Sequence, residues 1–173
     1  EQRPANIPLS YAQKRLWFID QLTPNSSVYN MPFALKLQGQ LNIEALQQAF
    51  QQLVQRHETL RSRIVSEKGQ AWQIIEETPT QVCHFYAIDD DEQELLNRAN
   101  EFLLTPFDLA NETLLRAELL QQRSSGDFIL LVVMHHIISD GWSMDIFVRD
   151  LLALYQANCL SIASPLKPPA VQC

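Results

Sequence analysis

The chain has 173 residues, 46% hydrophobic and 19% charged, which is enough apolar material for one folded core and argues against disorder. Its formal charge is −7 and its Lys and Arg residues are scattered, so the basic stripe of a nucleic-acid binder is excluded. The longest apolar stretch, Phe128 to Met134, is too short to cross a bilayer, and Glu1-Gln2-Arg3-Pro4 carries no apolar signal segment, so no membrane contact and a cytoplasmic location are expected.

Residues 1–8 are polar, with Pro4 and Pro8, and predict an extended lead-in. Ser10 then caps a predicted helix that carries Ala12, Leu16, Trp17 and Ile19 and stops before Pro24. Tyr29 to Gln38 alternates, with Met31, Phe33, Leu35 and Leu37 on one side of a half-buried strand. Asn42 caps the next helix, whose stripe is Leu46, Ala49, Phe50, Leu53 and Val54 and whose end lies near His57. Leu60 to Val65 and Ala71 to Glu76 predict two strands around a Lys68-Gly69 turn, and Val82 to Tyr86 a further short one. Asp91 followed by Glu94 resembles a capping box for a helix bearing Leu95, Leu96, Ala99, Phe102 and Leu103, limited by Pro106. Leu114 to Leu120 and Phe128 to Met134 are strands around Ser124-Ser125-Gly126-Asp127, and the second is apolar enough to be covered on both faces. A last helix, roughly residues 143–157, buries Ile146, Phe147, Leu151, Leu154 and Tyr155, and the prolines beyond it (Pro165, Pro168, Pro169) mark linker.

The class is therefore α/β, a mixed β-sheet with helices packed on it. Cys83, Cys159 and Cys173 form no CxxC pair, and their odd number suits a reducing compartment rather than a disulfide framework or a zinc site. Four unclustered glycines leave no phosphate-binding loop.

Chemistry concentrates in Met134-His135-His136-Ile137-Ile138-Ser139-Asp140-Gly141-Trp142-Ser143. A buried strand ends in two histidines, and strand alternation sends their rings to opposite faces, one into the fold and one into a cleft. Two polar rings directly after an apolar run are costly without partners. Adjacent histidines chelate one ion poorly, and His57 and His84 are distant in sequence, so no metal is expected. Gly141 allows a tight turn and Asp140 can anchor it.

His135 to Gly141 matches HHxxxDG, the signature that condensation domains of nonribosomal peptide synthetases carry. Ser10-Tyr11-Ala12-Gln13-Lys14-Arg15-Leu16-Trp17 looks like that family's first motif, SxAQxRxW. Arg56-His57-Glu58-Thr59-Leu60-Arg61-Ser62-Arg63 looks like its second, with Ile64 where an aromatic is usual. Three motifs in order across nearly the whole chain make the resemblance strong.

The resemblance implies a chloramphenicol acetyltransferase-like single lobe: residues 1–160 as the N-terminal half of a condensation domain, and 161–173 as a tail or the start of the inter-lobe linker. It implies amide-bond formation between thioesters that donor and acceptor carrier proteins deliver on phosphopantetheine arms, with no cofactor bound directly. His136 would be the catalytic residue, as a base or by orienting the amine, with His135, Asp140, Gly141 and Arg61 supporting the motif, Arg61 by pairing with Asp140. Ser10, Gln13 and Arg15 would support the cleft, or simply belong to a capped amphipathic helix; Trp17 and Trp142 would pack. A complete condensation domain has a second, C-terminal lobe. Without it the fragment is expected to be inactive alone and to self-associate through the exposed face. A noncatalytic carrier-docking module and an oligomeric coenzyme A-dependent acyltransferase are the competing readings.

Overall fold

The computed structural model describes residues 6–89, 91–139 and 144–167. Its elements follow local chemistry closely. Strand β1 is Ile7–Pro8 and helix α1 is Tyr11–Leu22; Ser10 caps the helix in a full capping box, its Oγ accepting from Gln13 N while Gln13 Oε1 accepts from Ser10 N. Strand β2 (Asn30–Leu37) precedes helix α2 (Ile43–Arg56), which Asn42 caps and whose buried side is Ala45, Leu46, Ala49, Phe50, Leu53 and Val54. A short 3-10 turn at Glu58–Arg61 leads into β3 (Ser62–Glu67) and β4 (Gln70–Ile75). Lys68 and Gly69 both have positive φ (52° and 78°), the two-residue turn that the right-handed strand twist favours.

Strand β5 (Cys83–Ile88), helix α3 (Glu92–Leu104) and strand β6 (Leu115–Gln122) form a crossover unit, β5 and β6 lying parallel. Asp91 caps α3 through the amides of Gln93 and Glu94. The apolar stripe expected of α3 is only partly covered: none of its residues is fully buried, and Leu96 and Leu104 are exposed. Strand β7 (Phe128–His135) runs into a 3-10 turn (His136–Ile138), and helix α4 (Met144–Cys159) closes the fold.

The strands divide into two sheets, ordered β1-β4-β3 and β2-β7-β6-β5, rather than one. Phe33 of β2 meets Phe147 of α4, which in turn meets Phe50 of α2, while Asn30 of β2 donates to the Leu103 and Thr105 carbonyls at the end of α3. Positions 30 and 33 face opposite ways on a strand, so α2 and α4 cover one side of the larger sheet and α3 the other. This covering explains why β7 is apolar from Phe128 to Met134. Pro32 is tolerated because β2 is an edge strand, paired among the described residues with β7 alone.

Candidate active site

The chain turns over at the end of β7. His135 is the last residue of the strand and His136 the first of the 3-10 turn, so the two rings separate where one secondary structure gives way to the other. The residues just before β6 and β2 fix the backbone here: His135 N donates to Leu114 O at 3.0 Å, and His136 N to Tyr29 O at 2.9 Å.

His135 is 2% exposed. Its ring lies against Tyr29 (centroids 6.2 Å apart) and edge-on to Phe107 (6.1 Å). Nδ1 accepts from Ile137 N at 3.1 Å and so caps the turn. Burial, reinforced by the nearby His136, pushes its pKa down from 6.5 to about 4. Protonation would also turn the accepting nitrogen into a donor and break the cap. Because the folded pKa lies below the unfolded one, the unfolded chain takes up the proton first as pH falls. The stability contributed by neutral His135 is complete above about pH 6.5 and is lost towards about pH 4, by on the order of 3 kcal/mol. Urea denaturation across that window should show the slope, and a His135→Leu variant should lack His135's share of it.

His136 is exposed. Its Nδ1 lies 2.7 Å from Ser139 Oγ, and the same hydroxyl is 2.8 Å from His136 O and 3.1 Å from Met31 Sδ. Nε2 has no hydrogen-bond partner among the described residues. One histidine is thus a structural plug and the other presents an open ring nitrogen on a fixed backbone.

Of the residues expected to support the motif, Asp140 and Gly141, with Trp142, lie outside the described residues. Arg61 sits at the end of the 3-10 turn before β3, where its guanidinium donates to Glu76 O and lies 4.0 Å from Glu58. Arg15 lies on the exposed face of α1. Trp17 packs against the core.

Gln13 does more than cap. It is the one buried residue of α1, and its Nε2 donates at 3.2 Å both to Gln73 Oε1 in β4 and to Ile137 O in the histidine turn. This amide joins the first helix, the smaller sheet and the turn that carries His136. Gln13→Leu keeps the volume but removes both donors and the capping-box return bond. It should cost about 2 kcal/mol by urea denaturation.

Sequence reasoning missed Gln73 and a second polar centre, on α4. Asp150 is 1% exposed. Its carboxylate accepts from His57 Nε2 at 3.1 Å and from Arg149 at 2.8 and 3.0 Å, with Arg56 Nε 3.7 Å away. Burial lowers the pKa of His57 more than its hydrogen bond to Asp150 raises it, so at neutral pH His57 is an uncharged donor. The pair Arg56-His57 therefore reaches α4. One signal was available: position 150 falls inside the apolar face formed by Phe147, Leu151 and Leu154, where a lone carboxylate needs a partner. Of the thiols in the described residues, Cys83 is buried, with its pKa raised to about 12 by burial, and Cys159 is exposed.

The Condensation domain family matches residues 4–169. The chain belongs to that family. It is 41% identical over 98% of its length to Malpinin synthetase of Mortierella alpina, of which it covers 2%. It is also 39% identical over 99% of its length to the Dimodular nonribosomal peptide synthase of Bacillus subtilis (strain 168), of which it covers 7%. Among solved structures, the X-domain in its complex with OxyB from teicoplanin biosynthesis superposes with a TM-score of 0.87 at 30% identity, over 99% of this chain and 37% of that one. The first condensation domain of the calcium-dependent antibiotic synthetase superposes with a TM-score of 0.82 at 24% identity, over 95% of this chain and 40% of that one, a likeness of fold. The condensation-domain chain thus spans well under half the length of these solved relatives and a small part of the synthetases. Among its described residues no helix is long and apolar enough to cross a membrane, and no His, Cys, Asp and Glu group is arranged to hold a metal ion.

Proposed function

We propose that the chain is the histidine-bearing N-terminal lobe of a nonribosomal peptide synthetase condensation domain, with residues 161–173 leading towards a second lobe. The observation that carries this reading is the placement of His136: an exposed ring on a clamped backbone, Nδ1 engaged and Nε2 open. In the proposed reaction the acceptor's amine nitrogen attacks the donor's thioester carbonyl carbon. The tetrahedral adduct collapses with cleavage of the carbon–sulfur bond, the nitrogen gives up a proton, and the departing thiolate gains one. His136 Nε2 is suited to accept a hydrogen bond from the attacking amine and to take its proton. An α-amine has a pKa of about 7.7–8.0, so part of it is already nucleophilic near neutrality and orientation counts for as much as deprotonation.

Donor and acceptor arrive on the phosphopantetheine arms of carrier proteins, which this reading makes the partners, together with the second lobe. Tyr11, Phe18 and Leu22, spaced seven and four residues apart, expose one apolar stripe on α1, which supports the reading that another protein surface covers this side. A docking role without chemistry is the second reading; what favours it is the likeness to an X-domain that was solved bound to OxyB.

The test is to supply loaded donor and acceptor carriers to the chain, with and without a separately expressed second lobe, and to follow dipeptidyl thioester by mass spectrometry. Product only with both lobes supports the proposal. Product from the chain alone overturns the expectation that it is inactive without the second lobe, and silence in both cases favours docking.

A further inference from the structure

Ser139 makes three contacts with a single hydroxyl hydrogen. Its Oγ lies 2.8 Å from His136 O, 2.7 Å from His136 Nδ1 and 3.1 Å from Met31 Sδ. The carbonyl oxygen and the thioether sulfur can only accept, whereas a histidine ring nitrogen donates or accepts according to its tautomer. If Nδ1 were bare, the hydroxyl hydrogen would have to choose between it and the carbonyl, leaving two lone pairs facing each other at a separation shorter than 3 Å. Both short contacts are hydrogen bonds in one arrangement: Ser139 Oγ–H donates to His136 O, and His136 Nδ1–H donates to Ser139 Oγ. Ser139 is itself only 6% exposed, so water does not readily replace it in this role. Its amide also donates to His136 O at 3.1 Å, which holds the hydroxyl beside the ring.

We propose that Ser139 is a positioning residue that sets the tautomer of His136, holding the proton on Nδ1 and leaving the lone pair of Nε2 facing the substrate side. The two adjacent histidines then carry opposite tautomers. His135 accepts at Nδ1 from Ile137 N and so bears its proton on Nε2, while His136 bears its proton on Nδ1. The tautomer stands on geometry alone; its consequence for amide formation rests on the function proposed above. A ring with its proton on Nε2 would offer the incoming amine a donor where an acceptor is needed, so the orienting hydrogen bond and the proton uptake would both be lost.

The experiment is long-range proton–nitrogen NMR of the 173-residue chain at about pH 9, where imidazoles are neutral, with His136→Gln identifying the ring signals. The expected result is a pyrrole-like Nδ1 and a pyridine-like Nε2 for His136, and the reverse for His135. A pyrrole-like Nε2 on His136 in the unaltered chain overturns the proposal without any Ser139 variant. In Ser139→Ala the two His136 signals should move towards a mixed tautomer, and Ser139→Thr, which keeps a hydroxyl, should restore them; an unchanged spectrum in Ser139→Ala overturns the assignment to Ser139. In the complete two-lobe domain, Ser139→Ala should lower kcat about tenfold, the size of one ordinary hydrogen bond, with KM for the carriers unchanged. A shifted tautomer with unchanged kcat would leave the Ser139 assignment standing and sink the reading of His136 as the reactive group.

Discussion

In a complete two-lobe domain, His136→Ala should reduce amide formation by about 10²- to 10⁴-fold while leaving the fold intact. Both halves of that expectation come from where the residue sits. The ring is exposed and its one side-chain partner among the described residues is Ser139, so truncation empties no cavity in the core. The backbone bond from His136 N to Tyr29 O survives the change, and the turn keeps its path. The loss therefore falls on chemistry: the acceptor's amine has no ring nitrogen to orient it or to take its proton. His136→Gln, which can hydrogen-bond but is not a base, separates the two contributions. Near-complete retention of rate would assign the ring an orienting role, and a loss equal to that of alanine would assign it proton transfer. Rates are read from carrier-bound product by mass spectrometry, with a thermal melt of each variant as the folding control. A rate for His136→Ala within a factor of a few of the parent would remove His136 from the reaction.

Asp150→Ala should destabilise the chain by about 3–5 kcal/mol, the cost of removing one partner from a buried charged cluster. The carboxylate is 1% exposed and carries bonds from His57 and Arg149, with Arg56 close by. Arg149 is 68% exposed, so its share is screened by solvent and small. The larger share is the guanidinium of Arg56 and the ring of His57, which would face a cavity at the packed contact between α2 and α4. Asp150→Asn, which keeps the shape and an acceptor for His57 Nε2 but loses the charge, should cost about half as much. For a chain of this size, the alanine variant should melt roughly 10 °C lower. Because α4 follows directly on the segment after the histidine turn, the same variant in the two-lobe domain should also lose activity below its melting temperature. A melting temperature within a degree of the parent would show the cluster to be dispensable.

The histidine turn and the Asp150 cluster differ greatly in how far the sequence reveals them. Local chemistry decided most elements by itself. Ser10, Asn42 and Asp91 start helices because their side chains accept the first free amides, and each does so here. Lys68-Gly69 turns because glycine takes positive φ without penalty, and β7 is buried because eight residues carry almost nothing that needs water. The paired histidines were legible as well, since two polar rings at the end of such a strand demand an explanation. The expected split into one inward and one outward ring holds, although strand alternation is only part of its cause: β7 ends at His135, and the 3-10 turn takes over at His136.

What the sequence by itself determined, then, was the order of α1 to α4 and of β2 to β7, the mixed α/β character and the short motifs from which the family could be named. Only the tertiary structure decided the division of the strands into two sheets, the link from Gln13 to Gln73 and Ile137, the reach of Arg56 and His57 to Asp150, and the single hydroxyl of Ser139 bridging ring and carbonyl. The physical reason is range. Caps, turns and apolar periodicity act over a few residues and leave a mark in composition. A buried polar group instead takes whichever partner the fold brings to it, and Asp150 lies 93 residues from His57, as Gln73 lies 60 from Gln13. Ser139 is near His136 in sequence, yet which ring nitrogen its hydroxyl meets depends on the turn's geometry, and the chain acquires that geometry only once β2, β6 and β7 have paired.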